Sequence, residues 1–272
     1  MVSYFELLKR CFAFGKKQKI CKSYFDCIMQ TYSIVGDTAL PVKKRLSELQ
    51  VIKDVFAADN RDNVDFLNRY IELKSMFKRE KLIPSLFTDV SDALESRIQQ
   101  KKFLIWGEFL DFNRKTAAPA GRFLMALYDE NPTTYLPMEN LCTILKILDE
   151  IQQMKTGNKA SERFCLPQDW LQEFHVKKQD FKTLNRTPKT QAVFTELAAR
   201  LNAMREDSLI LPSIIKNFRL RLRVCVMLSL TNFMIKRLQY ENKNKFFVAL
   251  TLTDKIKVFF YGIKLLFFRS KK

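Results

Sequence analysis

The stretch from Ala118 to Leu171, APAGRFLMALYDENPTTYLPMENLCTILKILDEIQQMKTGNKASERFCLPQDWL, decides how the chain is read. It joins a Pro-Ala-Gly-Arg turn to apolar runs at helical spacing, then breaks at Lys155-Thr156-Gly157-Asn158 and stops at Cys165-Leu166-Pro167. Phe123 to Glu130 and Leu141 to Gln153 read as two helices flanking NPTTYLP, because their apolar residues recur every three or four positions. No pair of aspartates four apart sits along the second helix, so it offers no such carboxylate pair to an oxygen-ligated metal.

Outward from this stretch the same period continues. Phe5 to Ser33 reads as one or two helices broken near FGKKQK, and the segment opened by Pro41 places Leu46, Leu49, Ile52, Val55 and Phe56 on one face. Further helices are expected in NVDFLNRYIELKSMFKRE and SLFTDVSDALESRIQQKKF, and in FLIWGEFLDFNRKTAAPAGRF, the last ending near Pro119. Thr187 is an expected N-cap with Pro188 at the first helical position, opening a helix to about Arg205. Ile214 to Tyr240 and Lys255 to Arg269 complete the set. With only 6 Gly and 8 Pro in 272 residues, and 47% hydrophobic residues, the chain is expected to be all-α, with enough apolar surface for a substantial core.

The formal net charge is +18, which points to an anionic partner surface. From Lys216 to Lys272 there are 14 Lys and Arg against Glu241 and Asp254, so most of the excess sits at the C-terminal end, interleaved with Phe, Leu, Ile and Val. That mixture suits an anionic membrane and argues against nucleic acid, for which no docking motif is present. The apolar residues from Ile256 to Phe268 cover about 20 Å as a helix, short of the roughly 30 Å hydrocarbon core, so the tail is expected to lie in the interface. The expected organisation is a helical domain over 1–251 and a basic amphipathic membrane-surface tail over 252–272.

The six Cys contain no Cys-x-x-Cys pair, and His175 is the sole histidine, which excludes a zinc site and points to buried reduced thiols in a cytoplasmic protein. His175 has no cysteine near it in sequence and is not expected to be catalytic. The N-terminus lacks a secretory signal pattern, and no apolar run reaches the length of a spanning helix. The expected place is the cytoplasmic side, peripheral to the inner face of the membrane.

The string FLDFNRKTAAPAGRFLMALYDE, followed by LCTILKILDEIQQM and ERFCLPQDWL, resembles the squalene and phytoene synthases, most of all the bacterial hopanoid-pathway branch that works on presqualene diphosphate. Where that family has Tyr-Cys-Arg-Tyr-Ser-Ala-x-Pro-Val-Gly-Arg, this chain keeps Arg114, Ala117, Pro119, Gly121 and Arg122. The family's Asp-Arg-x-Tyr-Leu-Pro stop appears as Glu162 to Pro167, and LPVKKRLSEL and LPSIIKNFRLRLRVCVML extend the likeness over about Phe12 to Gly262. The resemblance implies the isoprenoid (trans-prenyltransferase) synthase fold and magnesium-dependent chemistry on prenyl diphosphates, with Asp-rich motifs on two facing helices holding the ions.

At both motifs the chain departs from the family. Counted from Leu40-Pro41, Asp-Asp-x-x-Asp falls on Tyr32, Ser33, Ile34, Val35 and Gly36. Counted from Leu166-Pro167, Gln-Asp-x-x-x-Asp falls on Gln152, Gln153, Met154, Lys155, Thr156 and Gly157. No metal ligand is therefore expected at Tyr32, Ser33, Gly36, Gln153 or Gly157, and Lys146 places a cation along the face that held metal. The resemblance leaves Arg114, Arg122, Lys146, Asp149 and Arg163 as candidate binding residues for an isoprenoid lipid or prenyl diphosphate. The expected function is a pseudoenzyme of isoprenoid metabolism, binding isoprenoid or acting as a scaffold at the membrane. The alternatives are an active synthase using displaced carboxylates (Asp37, Asp149, Glu150, Glu162) and a basic helical nucleic-acid binder.

Overall fold

A computed structural model describes residues 3–37, 39–57, 65–99, 103–153, 166–181, 187–240 and 250–268, and among them every regular element is a helix. In chain order these are α1 (Tyr4–Phe12), α2 (Gln18–Gly36), α3 (Val42–Ala57), α4 (Asn68–Arg79), α5 (Ser85–Gln99) and α6 (Trp106–Leu127). The second half comprises α7 (Tyr135–Gln153), α8 (Gln168–Glu173), α9 (Pro188–Ser208), α10 (Leu211–Ile214), α11 (Phe218–Tyr240) and α12 (Leu252–Phe268). The break expected near FGKKQK is a single 3₁₀ turn at Gly15–Lys17, with Gly15 at φ +60°, a conformation that glycine adopts without strain.

Several helical boundaries differ from the sequence reading, among them the helix expected from Ile214, which starts at Phe218, and the one expected from Lys255, which starts at Leu252. Pro119 was expected to end a helix, yet α6 runs through it from Trp106 to Leu127. The carbonyl that loses its partner to the proline ring belongs to Lys115, an exposed residue, so water can satisfy it while the apolar face on either side stays packed. The loop expected at NPTTYLP is a 3₁₀ turn, Pro132–Thr134, running directly into α7 at Tyr135. Pro137 sits in the first turn of α7, where a backbone N–H has no helical acceptor to lose. Thr187 behaves as expected: its side chain accepts from the Thr190 N–H and Thr190 returns the bond, closing a capping box around Pro188.

The antiparallel pair α6 and α7 forms the middle of the molecule, with α5 against α6, and α9 and α11 against α7. On the other side α2 packs against α1, α3, α4 and α5, and α1 reaches across to α7 and α11. Aromatic rings fill the centre. Tyr24 stacks on Phe123 with centroids 3.7 Å apart, Phe77 lies 5.9 Å from Phe123, and the Tyr24 hydroxyl donates to the Leu86 carbonyl at 2.8 Å. Each of these rings is buried and belongs to the core.

Between α10 and α11 the chain turns at Ile215–Asn217, and the buried Glu130 carboxylate accepts the backbone N–H groups of Lys216 and Asn217, both at 2.8 Å. The carboxylate thereby satisfies donors at the start of α11 that have no helical partner. Cys21, Cys27, Cys142 and Cys225 are buried and Cys11 half-buried, all as free thiols, while Cys165 lies outside the described residues. His175 takes φ +50° at the end of α8, where the Val176 N–H returns to the Leu171 carbonyl at 3.0 Å, so it serves to terminate a helix.

The approach of α6 to α7 depends on Gly121, because a Cβ there would stand 2.9 Å from the Met138 carbonyl oxygen and 3.0 Å from the Glu139 nitrogen, both backbone atoms. Gly121→Val is expected to force the two helices apart and destabilise the protein by about 2 kcal/mol or more, read as a lower urea midpoint. Glu130→Ala, which strands two N–H groups, is expected to cost about 1–3 kcal/mol in the same measurement.

Candidate functional site

Cys142, Lys146 and Glu150 follow one another at intervals of four along α7, which brings Cys142 to α1 and Lys146 to α2. The Cys142 thiol lies beside the Tyr4 hydroxyl of α1, and burial pushes that thiol up to about 12. One turn further, the Lys146 ammonium stands 5.4 Å from the centroid of the Tyr32 ring on α2. Lys146 is 4% exposed and pairs with Glu150 on its own helix. Burial opposes the lysine charge, but Glu150, Tyr32 and Asp149 outweigh it and hold the ammonium protonated above its ordinary range.

Tyr32 is pushed up to about 12 by burial, against the opposing pull of Lys146. Its hydroxyl neighbours Thr116 of α6, which donates to the Phe112 carbonyl at 2.9 Å, and itself has no hydrogen-bond partner among the described residues. Asp149 is raised to about 6, mainly by burial, with Lys146 drawing it down and Glu150 pushing it up. Its carboxylate accepts from the Gln153 amide at 2.6 Å and lies near the Tyr4 backbone N–H at the start of α1. A cation, a phenol and two carboxylates thus meet where α1, α2, α6 and α7 converge.

The residues singled out in the sequence divide among several places. Tyr32, Lys146 and Asp149 come together as described. Ser33 and Gln153 are exposed, and a Cβ added to Gly36 would meet nothing within 4 Å. Arg114 and Arg122 belong to a different face of α6, because Thr116 is about 200° around the helix from Arg114 while Arg122 is back on its side. With Asp89, Asp92, Ser96 and Lys115 they line an open groove of about 440 Å³ between α5 and α6, whose lining includes neither Tyr32 nor Lys146. The Arg122 guanidinium gives two bonds to Glu139 of α7 at 2.7 Å, so much of its charge is already matched. Gly157 and Arg163 lie outside the described residues, as does Glu162.

Sequence reasoning missed Tyr4 and Thr116 as members of the Lys146 cluster. Thr116 lay within the FNRKTAAPAGR string and could have been found by its position two residues from Arg114 on the opposite face. Tyr4 carried no local signal, since it reaches the cluster only through the packing of α1 on α7.

Magnesium, which the resemblance implies, requires several hard oxygen ligands within one small volume. Among the described residues no group of three or more His, Cys, Asp and Glu converges. Around Tyr32 the groups present are an ammonium already paired with Glu150, a phenol kept neutral, and a carboxylate tied to Gln153. These residues do not fit a metal held against a diphosphate, and no chemical step through magnesium can be assigned to them.

The cluster makes two predictions about stability. The folded Asp149 carboxyl titrates at about 6, whereas in the unfolded chain it ionises near pH 4. The unfolded state thus gains from ionisation first, and this group's contribution falls as pH rises from about 4 to about 6. Asp149→Asn is expected to leave the melting temperature unchanged near pH 4 and to raise it at pH 7.5. Lys146→Met is expected to cost about 3 kcal/mol by leaving Glu150 uncompensated, and Lys146→Met with Glu150→Gln to recover most of that, both read by urea denaturation.

Comparison with known proteins agrees with this architecture. The sequence model of the squalene/phytoene synthase family matches residues 28–257. Hydroxysqualene synthase from Rhodopseudomonas palustris is 25% identical over 169 residues, 62% of this chain and 58% of that protein. The corresponding enzyme of Sinorhizobium fredii is 23% identical over 172 residues, 63% of this chain and 59% of that protein, so the matches span less than two thirds of these curated relatives. Among solved structures, squalene synthase HpnC from Alicyclobacillus acidocaldarius superposes with a TM-score of 0.67 at 14% identity, covering 87% of this chain and 93% of that one. A dehydrosqualene synthase in complex with ligand gives 0.68 at 14% identity, covering 97% and 91%. The shared fold is the isoprenoid-synthase helical fold, and with the match over residues 28–257 the chain belongs to the squalene/phytoene synthase family.

Proposed function

We propose that this protein is a family member that has given up magnesium-dependent prenyl diphosphate catalysis and works as a membrane-peripheral isoprenoid-binding or scaffold protein. The observation that carries this reading is the buried Lys146–Glu150 pair set against the Tyr32 ring, between helices that the family resemblance makes the metal-bearing ones. An ammonium fixed in that position repels a divalent cation, and its own counter-ion is already in place. The basic and aromatic tail supports attachment to an anionic membrane surface, on the cytoplasmic face. Among the described residues no helix is long and apolar enough to cross a membrane.

A second reading, an active synthase with displaced carboxylates, draws support from relatives that carry the name hydroxysqualene synthase. It would recruit Asp149 and Glu150 together with Asp37, which is exposed at the end of α2 and accepts the Ala39 N–H at 2.9 Å, and Glu162. The test is diphosphate release from farnesyl diphosphate and from presqualene diphosphate, with and without magnesium, in the presence of anionic vesicles. No magnesium-dependent release is expected, together with saturable quenching of tryptophan fluorescence by a prenyl lipid. Magnesium-dependent turnover abolished by Asp149→Ala would establish the second reading instead.

A further inference from the structure

The tail read from sequence as an appendage is, over Leu252–Phe268, a helix laid antiparallel along α11. Asp254 faces Arg237 near one end, and Gly262 meets Val226 midway. The contact at Gly262 is close: a Cβ there would stand 2.9 Å from the Val226 Cα, which is backbone and cannot step aside. Val258, Gly262 and Leu266, four apart on one stripe, are the buried positions of α12. At about 100° per residue, the opposite side of the helix carries Ile256, Phe260, Ile263 and Phe267. Three of these are well exposed, at 47% for Ile256, 63% for Phe260 and 64% for Phe267. The helix is therefore apolar on two opposite sides, one spent on α11 and the other uncovered.

Charge decides what covers the outer side. Lys257 and Lys264, seven apart, run along one flank of the outer stripe, and Lys255 adds a third exposed ammonium. Asp254 is the sole acidic residue in the sequence of α12, and it is engaged at the helix start, accepting the Thr251 N–H at 3.0 Å. A second copy docked stripe to stripe would bring lysines together with no carboxylate to meet them. An anionic bilayer surface offers both an apolar layer for the stripe and phosphates for the lysines. At 17 residues the helix is about 25 Å long, too short to cross the roughly 30 Å hydrocarbon core, so it fits along the surface.

Resting on the membrane-peripheral reading above, we infer that α12 engages an anionic bilayer while still docked on α11, inserting Ile256, Phe260, Ile263 and Phe267 and placing Lys257 and Lys264 at the phosphates. The inner stripe holds the helical body to α12, so attachment fixes the orientation of the whole protein. A free tail on a tether would not do so.

The test is flotation of the full chain with vesicles of phosphatidylcholine alone and of phosphatidylcholine mixed with phosphatidylglycerol, followed by hydrogen exchange of the bound protein. Binding is expected to the mixed vesicles only. Phe260→Ser with Phe267→Ser is expected to weaken it roughly tenfold or more with an unchanged melting temperature, since both side chains are exposed in the fold. Amides of α11 are expected to stay protected on the vesicle. Failure of the unmodified chain to float would remove the membrane reading itself. Flotation that the double variant does not weaken, or that deprotects α11, would leave membrane attachment standing and overturn the docked-face inference. A dimer in sedimentation that Phe260→Ser dissolves would assign the stripe to a second copy and overturn it as well.

Discussion

The contact on which the candidate site depends is the backbone-to-backbone approach of α6 and α7 at Gly121. With no side chain at Gly121, the α7 backbone at Met138 can close to within van der Waals distance, and this sets both the spacing and the rotation of α7. From Met138 the helical repeat carries Cys142, Lys146 and Glu150 along the same side, toward Tyr4 and Tyr32. A rotation by one residue would turn Lys146 away from the Tyr32 ring while Glu150, on the same helix, stayed beside it. The small residue and the large charge are thus two ends of one constraint.

A buried ion pair is weak grounds for stability, because desolvation of the two charges offsets much of their attraction. Its significance here is positional. The family match places this chain among the squalene/phytoene synthases, while at Tyr32 the buried cation is matched by a carboxylate of its own helix.

The basic character of the protein has a comparable division. Many cations in the body are matched locally, as Lys9 is by Asp26, Lys53 by Asp92 and Arg122 by Glu139. Along α12 the lysines lie beside exposed aromatic rings with one acid in the helix, so basic and apolar groups share one surface there. The same helix contributes to the fold through Val258, Gly262 and Leu266, so one segment serves packing and surface at once.

Most helices were legible from period and caps, because amphipathic spacing and the Thr187–Pro188 signal act locally. That Tyr32, Ser33 and Gly36 carry no carboxylate was plain in the sequence, and Lys146 was legible as a cation on the helix ending at Gln153. Local rules failed at Pro119 and Pro137, where packing on both sides, or a position within the first turn, removed the usual penalty of proline. They also could not show that Arg114 and Arg122 face α5 while Lys146 meets Tyr32, since helix rotation is set by contacts between segments remote in sequence. Composition and periodicity by themselves determined an all-helical chain with a basic apolar tail. Tertiary packing alone decided that the Lys146–Glu150 pair is buried against Tyr32 and that the tail lies docked with a second apolar side outward, because burial depends on which faces meet.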